Sequence, residues 1–98
     1  MATASFERDG EIWRVCGELD FDSVATLWNA TAAVFTAAPP TRIDLGAVSR
    51  SNSAGVALLV EWFDWAEQRQ RPLAFVNVSA QMQAIIALAD LDTILPIA

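Results

Sequence analysis

Polar and apolar positions along the chain change period several times, and each change marks an element. Ser5 to Arg8 and Glu11 to Leu19 flank Asp9-Gly10, a dipeptide favoured in tight hairpin turns, and Ile12, Trp13, Val15 and Cys16 suit strands, so the chain is expected to open with a hairpin. From Asp22 or Ser23 to Phe35 the spacing becomes helical, with Val24, Leu27, Thr31, Val34 and Phe35 on one side and acidic or hydroxyl residues available as caps. Pro39-Pro40 ends that helix. Arg42 to Leu45 then reads as a short strand entering the core, followed by a loop from Gly46 to Asn52. A second helix is predicted from about Ser53 to Arg69. Pro72 forbids its continuation, Leu73 to Val78 makes a buried strand, and Ser79 starts a third helix with Met82, Ile85, Ile86 and Ala89 on one face. Asp92 to Ala98 adds at most a short terminal element. The order is strand, strand, helix, strand, helix, strand, helix. Strands that follow helical crossovers become parallel neighbours, so the expected architecture is α/β, a mixed, partly parallel sheet of four to five strands with about three helices packed on it.

Length and composition narrow the class. At 98 residues the chain suits one compact domain over 1–98 that needs no staple. Hydrophobic residues are 54% and charged ones 18%, which argues against disorder and leaves apolar surface for a partner. The longest apolar run, Ala54 to Val60, falls far short of the roughly 20 residues needed to cross a bilayer. Met1 to Asp9 holds no apolar block of the secretory kind, so a cytoplasmic address is expected. In that compartment the triplets Asn29 to Thr31 and Asn77 to Ser79 have no glycosylation role. The net charge is -6, and the six bases are all arginines, Arg8, Arg14, Arg42, Arg50, Arg69 and Arg71, spread so that no basic patch forms for a nucleic acid or an anionic lipid surface. The expected partner is a protein.

The chemistry is bounded by what is missing. The chain has no histidine, lysine or tyrosine, and one cysteine. A serine nucleophile therefore has no base, Cys16 has no companion for a metal or an internal disulfide, and Gly55 lacks the context of a phosphate loop. Cys16 sits in a strand run and reads as a buried thiol. Asp20 with Asp22, and Asp90 with Asp92, could pair as acid and base, yet each pair stands at a helix boundary where aspartate is ordinary capping chemistry. The expectation is a protein without enzymatic activity, cofactor or metal.

The most specific segment is Val48-Ser49-Arg50-Ser51-Asn52-Ser53-Ala54-Gly55-Val56-Ala57-Leu58-Leu59, where a strand, a polar loop and a small-residue helix start expose Ser53. Together with the order of elements, this run resembles the STAS family, named for sulfate transporters and anti-sigma factor antagonists, in which an Asp-Ser/Thr-x-Gly type motif opens the second helix. The resemblance covers essentially the whole chain. Within the family, Val48-Ser49-Arg50, Gly55-x-Ala57-Leu58-Leu59, Gly17-Glu18-Leu19-Asp20 and Leu27-Trp28 are most similar to the small cytoplasmic STAS subunits of the Mla phospholipid transporter. That branch implies a non-catalytic subunit, peripheral to the inner membrane, that binds the ATPase of an ABC transporter and through it the permease. The antagonist branch implies instead that Ser53 is phosphorylated by an anti-sigma factor kinase. Asn52 and Ala54 depart from the antagonist pattern, which commonly has an acid at the first position and Ser, Thr or Gly at the second. A neutral amide beside the serine would position a hydroxyl or Mg²⁺ poorly in a kinase site. Three readings of Ser53 stand open: helix cap and contact residue, phosphoacceptor, or cap alone.

The second helix carries two apolar rows. Val56, Leu59, Val60 and Phe63 are expected to face the sheet, while Leu58, Trp62 and Trp65 form another row at i, i+4 and i+7. Such a row is either buried against neighbouring helices or offered to a partner, where aromatic anchors are enriched. The partner-facing set is therefore read as Asn52, Ser53, Ala54, Gly55, Leu58, Trp62, Trp65 and, on the first helix, Trp28.

Overall fold

A computed structural model describes residues 4–98. The chain forms β1 (Ser5–Asp9), β2 (Ile12–Leu19), α1 (Phe21–Ala37), β3 (Arg42–Ser51), α2 (Ser53–Gln68), β4 (Ala74–Val76) and α3 (Ala80–Leu88). The strands make one sheet in the order β1-β2-β3-β4, antiparallel at the first pair and parallel at the other two. This is the mixed α/β sheet with three helices that the spacing predicts.

The hairpin turn sits one residue later than Asp9-Gly10 suggests. Asp9 pairs with Ile12, leaving Gly10-Glu11 as the two-residue loop, and Gly10 takes the positive φ of 62° that such a turn asks of its first residue. The expected loop from Gly46 to Asn52 is strand as far as Ser51: β3 runs ten residues and pairs with β2 up to Leu19↔Ser51. Register shifts between Arg14 and Cys16 and between Gly17 and Glu18 break the alternation by which a sequence reveals a strand. At the other edge, the buried strand expected over Leu73 to Val78 shortens to β4. The tail does add a terminal element, a parallel bridge from Ile97 to Phe75.

Local chemistry sets the helix ends. Asp20 and Ser23 form a reciprocal capping box at α1, with the Ser23 amide on Asp20 Oδ1 at 2.8 Å and the Asp20 amide on Ser23 Oγ at 2.9 Å. Ser79 caps α3 by accepting the Met82 amide at 3.1 Å. Side chains of Trp13, Val15, Leu19, Ile43, Leu45 and Phe75 meet those of Leu27, Phe35, Leu59, Trp62, Met82 and Ile86 in a single buried core. Strand periodicity sends the intervening residues, such as Arg14 and Asp44, to the opposite face. Cys16, expected to be buried, is half-buried there.

Candidate functional site

The start of α2 is built by Asn52 and not by Ser53. Asn52 holds an extended backbone, and its Oδ1 accepts the Ala54 amide at 2.8 Å while its carbonyl accepts the Gly55 amide at 3.1 Å. Asn52 is thus the cap, which corrects the reading of Ser53 as one. Ser53 is the first helical residue and is exposed. Its hydroxyl is outside both cap bonds.

Gly55 is buried, so its expected role as a contact residue is corrected as well. A Cβ there would overlap the Ser51 Oγ and come within 3.0 Å of Leu19 Cβ. The missing side chain lets α2 seat directly on the ends of β2 and β3. Ser51 is itself buried, donating through Oγ to the Asn52 carbonyl at 3.0 Å and through its amide to Gln81 Oε1 of α3 at 3.3 Å. The N-terminus of α2 is therefore anchored on three sides and presents one outward edge. Along that edge Ser53, Ala57 and Glu61 are exposed at a spacing of four, which puts them in line on one face.

Two apolar grooves flank this ridge. Between α1 and α2 lies a cavity of about 300 Å³ floored by Ala54 and Leu58, walled by Phe21, Val24 and Trp28, with Glu61 at its rim. Between α2 and α3 a cavity of about 350 Å³ is lined by Val56, Val60, Ile85 and Leu91. A third, polar hollow of about 270 Å³ at the ends of β2 and β3 gathers Glu18, Asp20, Arg50 and Gln81. The Asp20 carboxyl beside it lies below its ordinary value of 3.8, chiefly because the Ser23 amide hydrogen-bonds the charged form, against a smaller opposing effect of burial. Asp44 is lowered for a similar reason, by the Asn77 side chain and the Gly46 amide.

The second apolar row of α2 is mostly core. Trp62 is 0% exposed, 6.5 Å from Trp13 in an edge-on arrangement and stacked at 6.4 Å on Phe35. Leu58, at 1%, is covered apart from the groove floor it forms. As an exposed anchor Trp62 is corrected, because α2 is the central helix and its flanks are claimed by α1 and α3, whereas Leu58 is open only at the groove floor. Trp65 is half-buried, edge-on to Phe35 at 4.4 Å with the Arg69 guanidinium 3.8 Å over its ring. Trp28 is half-buried and walls the α1/α2 groove. Sequence reasoning overlooked Phe21, which is 74% exposed at the first position of α1, and Ala57 and Glu61. A large aromatic outside the helical core row was the available signal for Phe21. Among the described residues no three His, Cys, Asp or Glu side chains gather as a metal group.

Comparison with known proteins agrees with this geometry. The family model described as Mlab, STAS domain matches residues 3–96. No curated protein matches the chain in sequence. Among solved structures, a Thermotoga maritima protein described as an anti-sigma factor antagonist superposes with a TM-score of 0.76 at 15% identity, over 96% of this chain and 84% of its own. An anti-sigma factor antagonist from Mycobacterium paratuberculosis is 25% identical, with a TM-score of 0.73 over 99% and 85%. The phosphorylated form of the Bacillus cell fate determinant SpoIIAA is 20% identical, with a TM-score of 0.70 over 98% and 91%.

Proposed function

The chain belongs to the STAS domain family through its match to the MlaB-type model, and on that premise we propose that it is a non-catalytic accessory subunit of a phospholipid-transport ABC complex. In this reading it binds the ATPase subunit, and through it the permease, on the cytoplasmic side of the inner membrane, and supports assembly and activity of the complex. The observation that carries docking is the ridge of Ser53, Ala57 and Glu61 held between two apolar grooves. A partner surface can seat against small residues there while apolar side chains fill the flanks. The choice of an ABC partner rests on the MlaB-type match. The neutral Asn52 favours a fixed contact over a phosphoswitch. The absence of histidine, lysine and tyrosine agrees with a role in binding. Purification of the tagged chain from its source at native levels is expected to bring down an ABC ATPase, and Ser53→Asp is expected to lose it. Recovery of no ATPase or permease with the wild-type chain would refute the reading.

A second reading, an anti-sigma factor antagonist switched by phosphorylation, is favoured by the Ser53 hydroxyl, which is exposed and takes no part in the cap. A phosphate at this first helical position would be tolerated by the helix dipole, so its effect would fall on the partner surface. Incubation with serine kinases of the anti-sigma type and ATP, followed by intact mass, tests it. The reading requires one phosphoryl group, lost in Ser53→Ala.

A further inference from the structure

The α1/α2 groove has a charge pattern that specifies what enters it. It lies between the N-terminal halves of the two helices, and Phe21 stands at its mouth 74% exposed, a costly position for a phenyl ring left in water. Asp22 follows Phe21, and Glu61 forms the rim as the one charged side chain that lines the groove. Neither α1 nor α2 contains a single base. Of the arginines near these helices, Arg69 at the C-terminal end of α2 is engaged over the Trp65 ring, and Arg50 sits in the neighbouring polar hollow with Glu18 and Asp20. An apolar slot edged by Asp22 and Glu61, with no base in its lining, favours an apolar side chain that arrives with positive charge around it.

Charge also decides among occupants. An anionic lipid surface would be repelled. A second copy of the chain has no basic helix to offer, since none of its three helices contains an arginine and its net charge is -6. We infer that the groove walled by Phe21, Val24 and Trp28 over Ala54 and Leu58 receives an apolar side chain from a basic amphipathic helix of the partner protein, with Glu61 and Asp22 pairing the flanking cations. This is the helix-in-groove mode of recognition. It rests on the docking reading above and adds the partner's chemistry. A cavity of about 300 Å³ has room for one or two large side chains, so affinity for an isolated helix is modest and salt-dependent.

The probe is a synthetic amphipathic helix of leucine, alanine and lysine, with leucines on one face and lysines flanking it, titrated into the full chain and followed by amide NMR. A matched peptide with every lysine replaced by glutamate is the control. Shifts confined to 21–28 and 54–61 are expected with the basic peptide and none with the acidic one. Ala25 of α1 also lines the groove, and Glu61→Lys and Ala25→Trp, both at exposed positions and the second filling the groove, are expected to weaken binding by about tenfold or more. Equal response to both peptides, shifts centred on the α2/α3 groove, or no response would overturn the inference. So would a dimeric mass in solution that Ala25→Trp abolishes, or binding to anionic vesicles that it abolishes. Retention of the ATPase by Glu61→Lys and Ala25→Trp but not by Ser53→Asp sinks the groove while docking stands. If wild-type chain recovers no ATPase yet the basic peptide binds as described, docking to that ATPase fails and the groove assignment holds.

Discussion

Asn52 Oδ1 accepts the amide of Ala54 at 2.8 Å, and this bond separates the structural work at the head of α2 from the work of recognition. Asn52→Ala removes the cap and is expected to destabilise the fold by about 1 kcal/mol, read as a lower urea midpoint. Ser53→Ala, next in sequence, is expected to leave the midpoint within about 0.5 kcal/mol, as for an exposed site, while weakening partner binding. A large stability loss at Ser53 would show that the hydroxyl caps after all.

Gly55→Ala is expected to be among the most damaging single-methyl additions in the chain. The new Cβ would collide with Ser51 Oγ and press on Leu19, and overpacking of this kind costs on the order of 1–3 kcal/mol. Ser51→Ala in the same chain removes the colliding oxygen and should recover part of the loss. Urea denaturation of the two single variants and the double variant reads the coupling directly. Additive losses would mean that the backbone of α2 shifts away and that Ser51 is not the obstacle.

Much of this was legible in residue order, and what was not has identifiable causes. The helices announce themselves through Val24, Leu27 and Phe35, through Met82 and Ile86, and through capping residues that the structure uses, Asp20 and Ser79. The second half of β3 was hidden because β3 carries an extra residue at each register shift against β2, Ser49 being skipped while Arg50 and Ser51 pair with Glu18 and Leu19, which leaves no alternation in the side chains. Trp62 misled for a different reason. One helix's periodicity shows that it has two apolar rows, but only the placement of α1 and α3 shows that both rows are covered. The capping role of Asn52 against Ser53 turns on a single residue of helix phase, which spacing does not resolve. Phe21 was passed over because it precedes the periodic run, and only its exposure in the fold marks it.

Trp62 is expected to behave as a core residue in every assay. Trp62→Ala should cost about 3–5 kcal/mol and abolish partner binding only by unfolding the chain. Trp62→Phe is more discriminating. The indole nitrogens of Trp62 and Trp13 are buried with no hydrogen-bond partner, so phenylalanine loses ring volume but also removes an unsatisfied donor of about 1–3 kcal/mol. The two effects oppose, and the net change is expected to be small beside the alanine variant, with partner binding intact. Folded Trp62→Phe protein with lost binding would return Trp62 to the interface. Trp28→Ala should show the reverse, a smaller stability loss with weakened binding, since its side chain is only half-buried and walls the groove.

Acid should unfold this chain partly through Asp20 and Asp44. Both carboxyls titrate below the ordinary aspartate value of 3.8 in the folded protein, Asp20 because the Ser23 amide bonds its charged form and Asp44 because Asn77 and the Gly46 amide do so. A group whose folded value is depressed binds protons more readily when the chain is unfolded, so stability rises with pH through that window. The contribution is fully present above the unfolded value and is lost as pH falls below 3.8 toward the folded values. Asp20 is part of a capping box, so Asp20→Asn should keep much of the cap geometry while removing the titration. The expected result is a flatter stability profile below that pH for Asp20→Asn, and flatter still when Asp44→Asn is added, with little change in the slope near neutrality. Urea midpoints at stepped pH measure it, and slopes equal to wild type in both variants would show that other carboxylates carry the acid sensitivity.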